Sequence, residues 1–204
     1  TFLKGGIDLS EVKTMKKALL SIATVIMVGG CSEVPNDMSH IDVFSSDRYL
    51  STAHQFNKLI DDTFKYPYSK IPFFLVTKGW SVSGPKEPIS QIAYSCLASN
   101  EVQLVTKYKL FMPEVTYIKT PENQVKNCII KHSNGSINAD ALNDLKAFPL
   151  FQKYADNPFL RKTVDAAKAD GKISVKEYMD IVQIVIKLSG ADKQVQLEKT
   201  IQEL

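Results

Sequence analysis

The sequence predicts an α+β fold, with an N-terminal helix, a small antiparallel sheet of four or five strands and a C-terminal helical subdomain. Residues 47–64 repeat apolar side chains at helical spacing. Residues 71–131 hold short apolar or alternating runs separated by turn formers, which is typical of antiparallel strands. Residues 136–204 return to helical spacing, and residues 179–188 are nearly continuous in Ile and Val. The helix that contains residues 179–188 is therefore expected to be buried on more than one side.

The first helix is predicted over residues 47–64. One face collects apolar side chains at i, i+4, i+7 and i+11: Tyr49, Ala53, Phe56 and Ile60. Ser45 or Ser46 can cap its start. The turn formers in residues 65–69 predict its end.

The sheet is predicted from short runs between turn signals. The candidate strands are residues 73–76, 89–97, 102–111, 115–119 and 125–131. In the third run, Val102, Leu104, Tyr108 and Leu110 share one parity, which predicts a half-buried strand. The C-terminal part then begins with a short helix capped by Asn138, and Gly190 is expected to stop the long apolar helix before a last amphipathic one.

A loop between two C-terminal helices contains Asp170, Gly171 and Glu177. It resembles the second half of an EF-hand calcium loop, in which Gly171 would take the sixth position and Glu177 the bidentate twelfth. The first and third positions are Ala166 and Lys168, so two carboxylates are missing from the oxygen cage that calcium needs. The loop is interpreted as degenerate, and no metal is expected.

The same residues also predict a loop that is purely structural. Gly171 can supply a left-handed turn, and Ser174 with Glu177 has the spacing of a capping box for the next helix. A capping box satisfies backbone donors without any metal ion.

The N-terminal region has the pattern of an export signal. Lys16 and Lys17 precede an apolar core, residues 18–27, whose length falls within the roughly 7–15 residues of a signal sequence and well below the ~20 of a membrane span. Val28-Gly29-Gly30-Cys31 follows. The segment resembles a bacterial lipoprotein signal peptide with its lipobox, although Val28 and Gly29 replace the Leu and the Ala or Ser that the pattern prefers. The resemblance implies cleavage before Cys31 and acylation of that cysteine.

This interpretation divides the chain into five parts. They are an upstream segment at 1–14, a lipoprotein signal peptide at 15–30, a lipidated tether at 31–46, a helix with an antiparallel sheet at 47–135 and a packed helical subdomain at 136–204. Ser32 resembles the residue found after the acylated cysteine in lipoproteins sorted to the outer membrane, whereas Asp there marks retention at the inner membrane. The expected location is the periplasmic face of the outer membrane.

Charge does not point to a nucleic acid partner. The chain has a net charge of +3, and residues 1–30 hold four lysines and two acids, so the remainder is close to +1. Neither a basic patch nor an acidic tail follows from these numbers. The expected partners are the lipid bilayer, through acylated Cys31, and an envelope protein.

Two further cysteines, Cys96 and Cys128, are expected to form a disulfide, because the periplasm is oxidising. The alternatives are two free thiols or a metal pair. The chain has no Cys-x-x-Cys motif, and its three histidines are scattered along the sequence.

Catalytic motifs are missing from the sequence: no Gly-x-Ser-x-Gly, His-Glu-x-x-His, phosphate loop or dinucleotide fingerprint is found. The leading expectation is a non-enzymatic protein-binding, assembly or exclusion factor of the cell envelope, without a cofactor. Trp80, in a Gly- and Ser-rich segment, is the candidate partner contact, since Trp often anchors interfaces. A half-buried core Trp is the alternative.

Two other functions remain open. Tyr94-Ser95-Cys96 and Lys126-Asn127-Cys128 resemble the disulfide-bearing strands of periplasmic C-type lysozyme inhibitors. That resemblance implies an enzyme inhibitor with both cysteines on strands, but the family's Ser-Gly-x-x-Tyr loop is not found there. The third candidate is an envelope hydrolase, which would require a cleft with a perturbed carboxylate or histidine.

Overall fold

The computed structural model describes residues 32–33, 47–108 and 115–202 of the 204-residue chain. Within these residues, seven α-helices and five short strands follow in the order β1–α1–β2–β3–α2–β4–β5–α3–α4–α5–α6–α7. The helices are α1 Leu50–Phe64, α2 Pro88–Ala98, α3 Glu122–Ser133, α4 Ala139–Ala147, α5 Pro149–Lys153, α6 Pro158–Ala167 and α7 Val175–Gln202. The strands are β1 Ser32–Glu33, β2 Trp80–Ser81, β3 Gly84–Pro85, β4 Leu104–Lys107 and β5 Val115–Ile118.

The described strands form two small antiparallel sheets. One has the order β1-β4-β5, with Ser32 opposite Thr106 and Leu104 opposite Ile118. The other is the β2–β3 hairpin. The mixed helix and sheet content confirms the α+β class, but a single sheet of four or five strands is not found in the described part of the chain.

Two segments predicted as strands are helices. Residues 89–97 lie in α2, where Ile89, Ile92 and Cys96 are all buried. Glu87 caps this helix by accepting a hydrogen bond from the Ser90 amide, and Pro88 occupies its first turn, where a missing N–H has no cost. Residues 125–131 lie in α3.

Further differences concern the turns and the last helix. Residues 73–75 form a 3₁₀ turn rather than the predicted strand. Residues 47–49, predicted as the first turn of the N-terminal helix, and residues 68–70, after that helix, are also 3₁₀ turns. The last helix α7 runs through Gly190 to Gln202, so that glycine does not end it. Strand β1 uses Ser32 and Glu33, so these first two residues of the predicted tether after Cys31 pair with β4. The rest of that segment, and the predicted cap at Ser45 or Ser46, lie outside the described residues.

One apolar core joins the N-terminal and C-terminal parts. Phe56 and Ile60 of α1 belong to the same buried cluster as Tyr178, Met179 and Val182 of α7. The prediction that α7 is buried on more than one side is confirmed, because it packs against α2, α3, α5 and α6. No helix in the described residues is long and apolar enough to cross a membrane.

Candidate functional site

The β2–β3 hairpin presents a fully exposed apolar residue at its tip. Trp80 pairs with Pro85 and Ser81 with Gly84, which leaves Val82 and Ser83 as the two-residue loop. Gly84 has a φ of +114°, a conformation that residues with a side chain rarely adopt. The Val82 side chain has no burial in the fold.

Asn138 fixes this hairpin to the start of α4. Its Nδ2 donates to Ser81 Oγ at 3.1 Å and lies 3.4 Å from the Pro85 carbonyl oxygen. Its Oδ1 accepts from the Asp140 amide at 2.9 Å, so the same side chain caps α4, as the sequence predicted. Next to the hairpin, Lys86 Nζ lies 3.3 Å from Asp144 of α4. These contacts fix the base of the hairpin, and with it the position of the tip, against α4.

Trp80 lies at the base of the hairpin and not at its tip. Its ring packs edge to face on Tyr94 of α2 with 5.2 Å between the ring centroids, and its side chain is partly buried. This placement matches the half-buried alternative for Trp80. Val82, two residues further on, offers the larger exposed apolar area. The sequence gives no indication that Val82, a single apolar residue between two serines, would be exposed at a hairpin tip.

A second exposed apolar element is the 3₁₀ turn at residues 73–75. Phe73 is buried, whereas Phe74 is 72% and Leu75 is 51% exposed. Leu75, Lys78 and Asp144 line a groove of about 280 Å³. Because Asp144 also pairs with Lys86, this groove adjoins the base of the hairpin. We call Phe74, Leu75 and Val82 together the apolar surface.

Phe74 borders a second groove, of about 380 Å³. Its walls include Asn57 of α1 and Ile89 of α2. The sequence does not predict the exposure of Phe74 and Leu75, because the apolar run of residues 73–76 is typical of a strand. A 3₁₀ turn buries Phe73 and turns the next two side chains outward, whereas alternation along a strand would have buried every second one.

The predicted disulfide between Cys96 and Cys128 is present and joins α2 to α3, with 5.9 Å between the Cα atoms. Both cysteines are buried. Among the residues that the structure describes, these two sulfurs and His132 are the one group of ligand atoms close enough to share a metal ion, within 4.8 Å of one another. In the oxidised protein the sulfurs are bonded to each other, so this group is structural.

A charged cluster covers the edge of the disulfide. Glu101 Oε1 accepts a hydrogen bond from Lys131 Nζ at 2.9 Å and lies 3.0 Å from His132 Nε2. The hydrogen bonds from Lys131 and then His132 lower the pKa of Glu101 from 4.5 to about 2. The cluster ties the end of α3 to the turn after α2.

The loop of Asp170 and Glu177 uses its carboxylates on its own backbone. Glu177 Oε2 accepts from the Ser174 amide and from Ser174 Oγ, both at 2.8 Å, and Ser174 Oγ accepts from the Glu177 amide at 3.2 Å. This is the reciprocal capping box. Asp170 Oδ1 accepts from the Lys172 amide at 3.1 Å, and Gly171 has a φ of +81°. Both carboxylates thus accept hydrogen bonds from residues of their own loop.

Other predicted residues lie outside the structural description. The lipobox Val28-Gly29-Gly30-Cys31 precedes the first described residue, Ser32. No family model, curated protein or solved structure matches this chain.

Proposed function

We propose that this protein is a lipid-anchored protein of the bacterial cell envelope that binds another envelope protein and carries out no catalysis. The observation behind the binding role is the apolar surface, which is exposed on backbone that the fold holds in place. The anchor is Cys31, and the proposed location is the periplasmic face of the outer membrane.

Cysteine usage supports export to an oxidising compartment. The chain has three cysteines, and two of them form the buried Cys96–Cys128 disulfide. Disulfides persist mainly in oxidising compartments such as the periplasm. Cys31 is left over, at the end of a segment that resembles a lipobox, and acylation would use this remaining thiol.

The apolar surface supports protein binding. Large apolar side chains that remain exposed beside grooves mark candidate sites of protein interaction. Asn138 and the Lys86–Asp144 ion pair hold the hairpin before any partner arrives. A support that is already ordered loses less conformational entropy on binding, and more of the contact energy then appears as affinity.

The position of the cysteines favours general protein binding over lysozyme inhibition. The resemblance to C-type lysozyme inhibitors implies cysteines on strands, whereas Cys96 and Cys128 lie on helices α2 and α3. No specific observation in the described residues favours an envelope hydrolase.

Site-specific photocrosslinking in the native envelope tests the binding role. A benzoyl-phenylalanine residue would replace Phe74 or Val82, and Phe159 of α6, which is 77% exposed, provides the control position. We expect the same crosslinked protein from Phe74 and Val82 and none from Phe159. Equal crosslinking from all three positions, or from Phe159 alone, would reject the apolar surface as the binding site.

Mass spectrometry of protein isolated from its native membrane tests the anchor. We expect a mature N-terminus at Cys31 that carries a diacylglyceryl group. A Cys31→Ser variant should keep its signal segment and lack the diacylglyceryl mass. An unmodified Cys31 in the wild-type protein would contradict the proposed anchor.

A further inference from the structure

The pairing of β1 with β4 connects the proposed anchor directly to the sheet. Ser32 lies opposite Thr106 and Glu33 opposite Val105 in an antiparallel register. The two strands run in opposite directions, so the N-terminal end of β1, at Ser32, lies beside the C-terminal end of β4, near Lys107. Cys31 is bonded to Ser32, and neighbouring Cα atoms are about 3.8 Å apart. An acyl group on Cys31 would thus be attached beside the Lys107 end of the sheet.

Helix α1 begins at the same end of the molecule. Thr52 Oγ1 donates to the Thr116 carbonyl oxygen at 2.8 Å, and Gln55 Oε1 accepts from the Ile118 amide at 2.9 Å. The helix and β5 therefore run in the same direction, with the first turn of α1 nearest the start of β5. Val115, at that start, pairs with Lys107. The 3₁₀ turn before α1 also contacts β5.

The side chains at this end suit the surface of a bilayer. Leu50 is 54% and Tyr108 50% exposed, and both Arg48 and Lys107 are exposed as well. Lys107 Nζ lies 5.3 Å from the centre of the Tyr117 ring. Asp47 adds one negative charge in the same 3₁₀ turn. Tyr, Leu and basic residues together are typical of segments that contact lipid headgroups.

We infer that this end, defined by Arg48, Leu50, Lys107 and Tyr108, lies against the lipid headgroups when the protein is anchored. The inference rests on the proposed acylation of Cys31 and adds an orientation to it. The short link between the anchor and β1 holds the folded body at the bilayer, and the basic side chains favour a surface that contains anionic lipid.

This orientation leaves the groove beside Phe74 away from the bilayer. Asn57, which lines the groove beside Phe74, is seven residues along α1 from Leu50, a rise of about 10 Å. A partner in the periplasm could then reach Phe74 while the other end of α1 stays at the headgroups.

A fluorescent probe on the acylated, full-length protein tests the inference. The cysteines of the chain are occupied by the lipid and the disulfide, so a Tyr108→Cys substitution adds a single thiol that can be labelled with the environment-sensitive dye NBD. The matched control is Phe159→Cys, on α6. Both proteins are reconstituted into vesicles of phosphatidylethanolamine and phosphatidylglycerol.

We expect the NBD emission at position 108 to shift to shorter wavelength and to be quenched by lipids that are spin-labelled at the headgroup. The probe at position 159 should show neither effect. Leu50→Cys provides a second probe at the same end if the Tyr108 variant does not fold. Identical, unquenched emission from positions 108 and 159 of an acylated protein would overturn the inference.

The mass of each reconstituted sample separates the two proposals. An unmodified Cys31 would contradict the anchor itself. An acylated Cys31 combined with an unshifted probe at position 108 would leave the anchor intact and reject the orientation only.

Discussion

Cys96 and Cys128 link two helices that are also held by packing, and the bond limits the freedom of the unfolded chain. Their separation of 32 residues corresponds to about 3–4 kcal/mol in the chain-entropy model. A Cys96→Ala, Cys128→Ala double variant should lose stability of that order, measured as a lower urea midpoint. Ser99→Ala, beside the disulfide, serves as the control with a small expected effect. An unfolding midpoint that does not respond to reductant in the wild-type protein would refute the prediction.

Glu101 should make the stability of the protein depend on acid pH. Its pKa is lowered from 4.5 in the unfolded chain to about 2 in the folded protein, because Lys131 and His132 donate hydrogen bonds to it. The stabilisation is therefore complete above about pH 4.5 and is lost as the pH falls toward 2. Glu101→Gln should flatten the change of urea midpoint over this window. The side chain of Asp156 is 97% exposed, so Asp156→Asn should leave the dependence of the urea midpoint on pH unchanged. The same dependence in wild type and Glu101→Gln would contradict the assignment of this effect to Glu101.

At the scale of elements, the hairpin and α4 depend on one side chain. Asn138→Ala removes the cap of α4 and the hydrogen bond to Ser81, and should lower the free energy of unfolding by at least about 1 kcal/mol. The hairpin should also open more often. Hydrogen exchange of the Lys86 amide, which donates to the Gly79 carbonyl oxygen at 3.0 Å, would then be faster.

Asn157→Ala is the matched control for that experiment. Asn157 caps α6 by accepting from the Phe159 amide at 3.0 Å and does not bond to the hairpin in the described contacts. Its removal should cost a similar cap energy without changing exchange at Lys86. Faster exchange in both variants would mean that Asn138 stabilises the whole fold and not the hairpin in particular.

The helices predicted as strands show which local signal was missed. In α2 the buried residues Ile89, Ile92, Ala93, Cys96 and Leu97 are spaced i, i+3, i+4, i+7 and i+8, which is a helical stripe. Pro88 in the first turn agrees with it. In α3, Glu122 in the first turn and Lys131 in the last complement the helix dipole. The β-branched residues of these segments favoured strands, but packing on the core outweighed that weak preference.

The whole molecule is held together by contacts between distant parts of the chain. The Tyr68 hydroxyl donates to Asp180 of α7, and Lys176 Nζ lies 2.7 Å from the same carboxylate and 5.1 Å from the Tyr68 ring. Burial, followed by the hydrogen bond to Asp180, raises the pKa of Tyr68. The residues after α1 are thus joined to the long C-terminal helix.

A shared core predicts a single cooperative unfolding transition. Trp80 is the one tryptophan of the chain and reports on residues 47–135, whereas the far-ultraviolet circular dichroism signal also reports on the helices after residue 136. In urea, the midpoints from the two signals should coincide for the oxidised protein. Two separate midpoints would show that the N-terminal and C-terminal parts unfold independently.

The sequence by itself determined the features that depend on residues close in the chain. These are α1, short strands at β4 and β5, the cap at Asn138 and the Ser174–Glu177 capping box. Strand β4 is limited to Leu104–Lys107, and Tyr108, predicted on the same face as Leu104, lies outside it and is 50% exposed. Spacing along the chain is sufficient for them, because their partners lie within a few residues or in the next strand. The disulfide was also predicted, from the number of cysteines and an expected oxidising compartment.

Tertiary structure alone decided what surrounds those features. The cysteine-bearing segments became helices because their apolar stripes pack against the core formed by α1 and α7. Trp80 is partly buried at the base of the hairpin and Val82 is exposed at its tip, because Tyr94 and Asn138, both distant in sequence, hold the hairpin in place. The alignment of β1 with the start of α1 likewise depends on contacts between residues far apart in the chain. Which residues of the hairpin and of the β1–α1 end reach the surface is set by such long-range contacts, which spacing along the chain does not reveal.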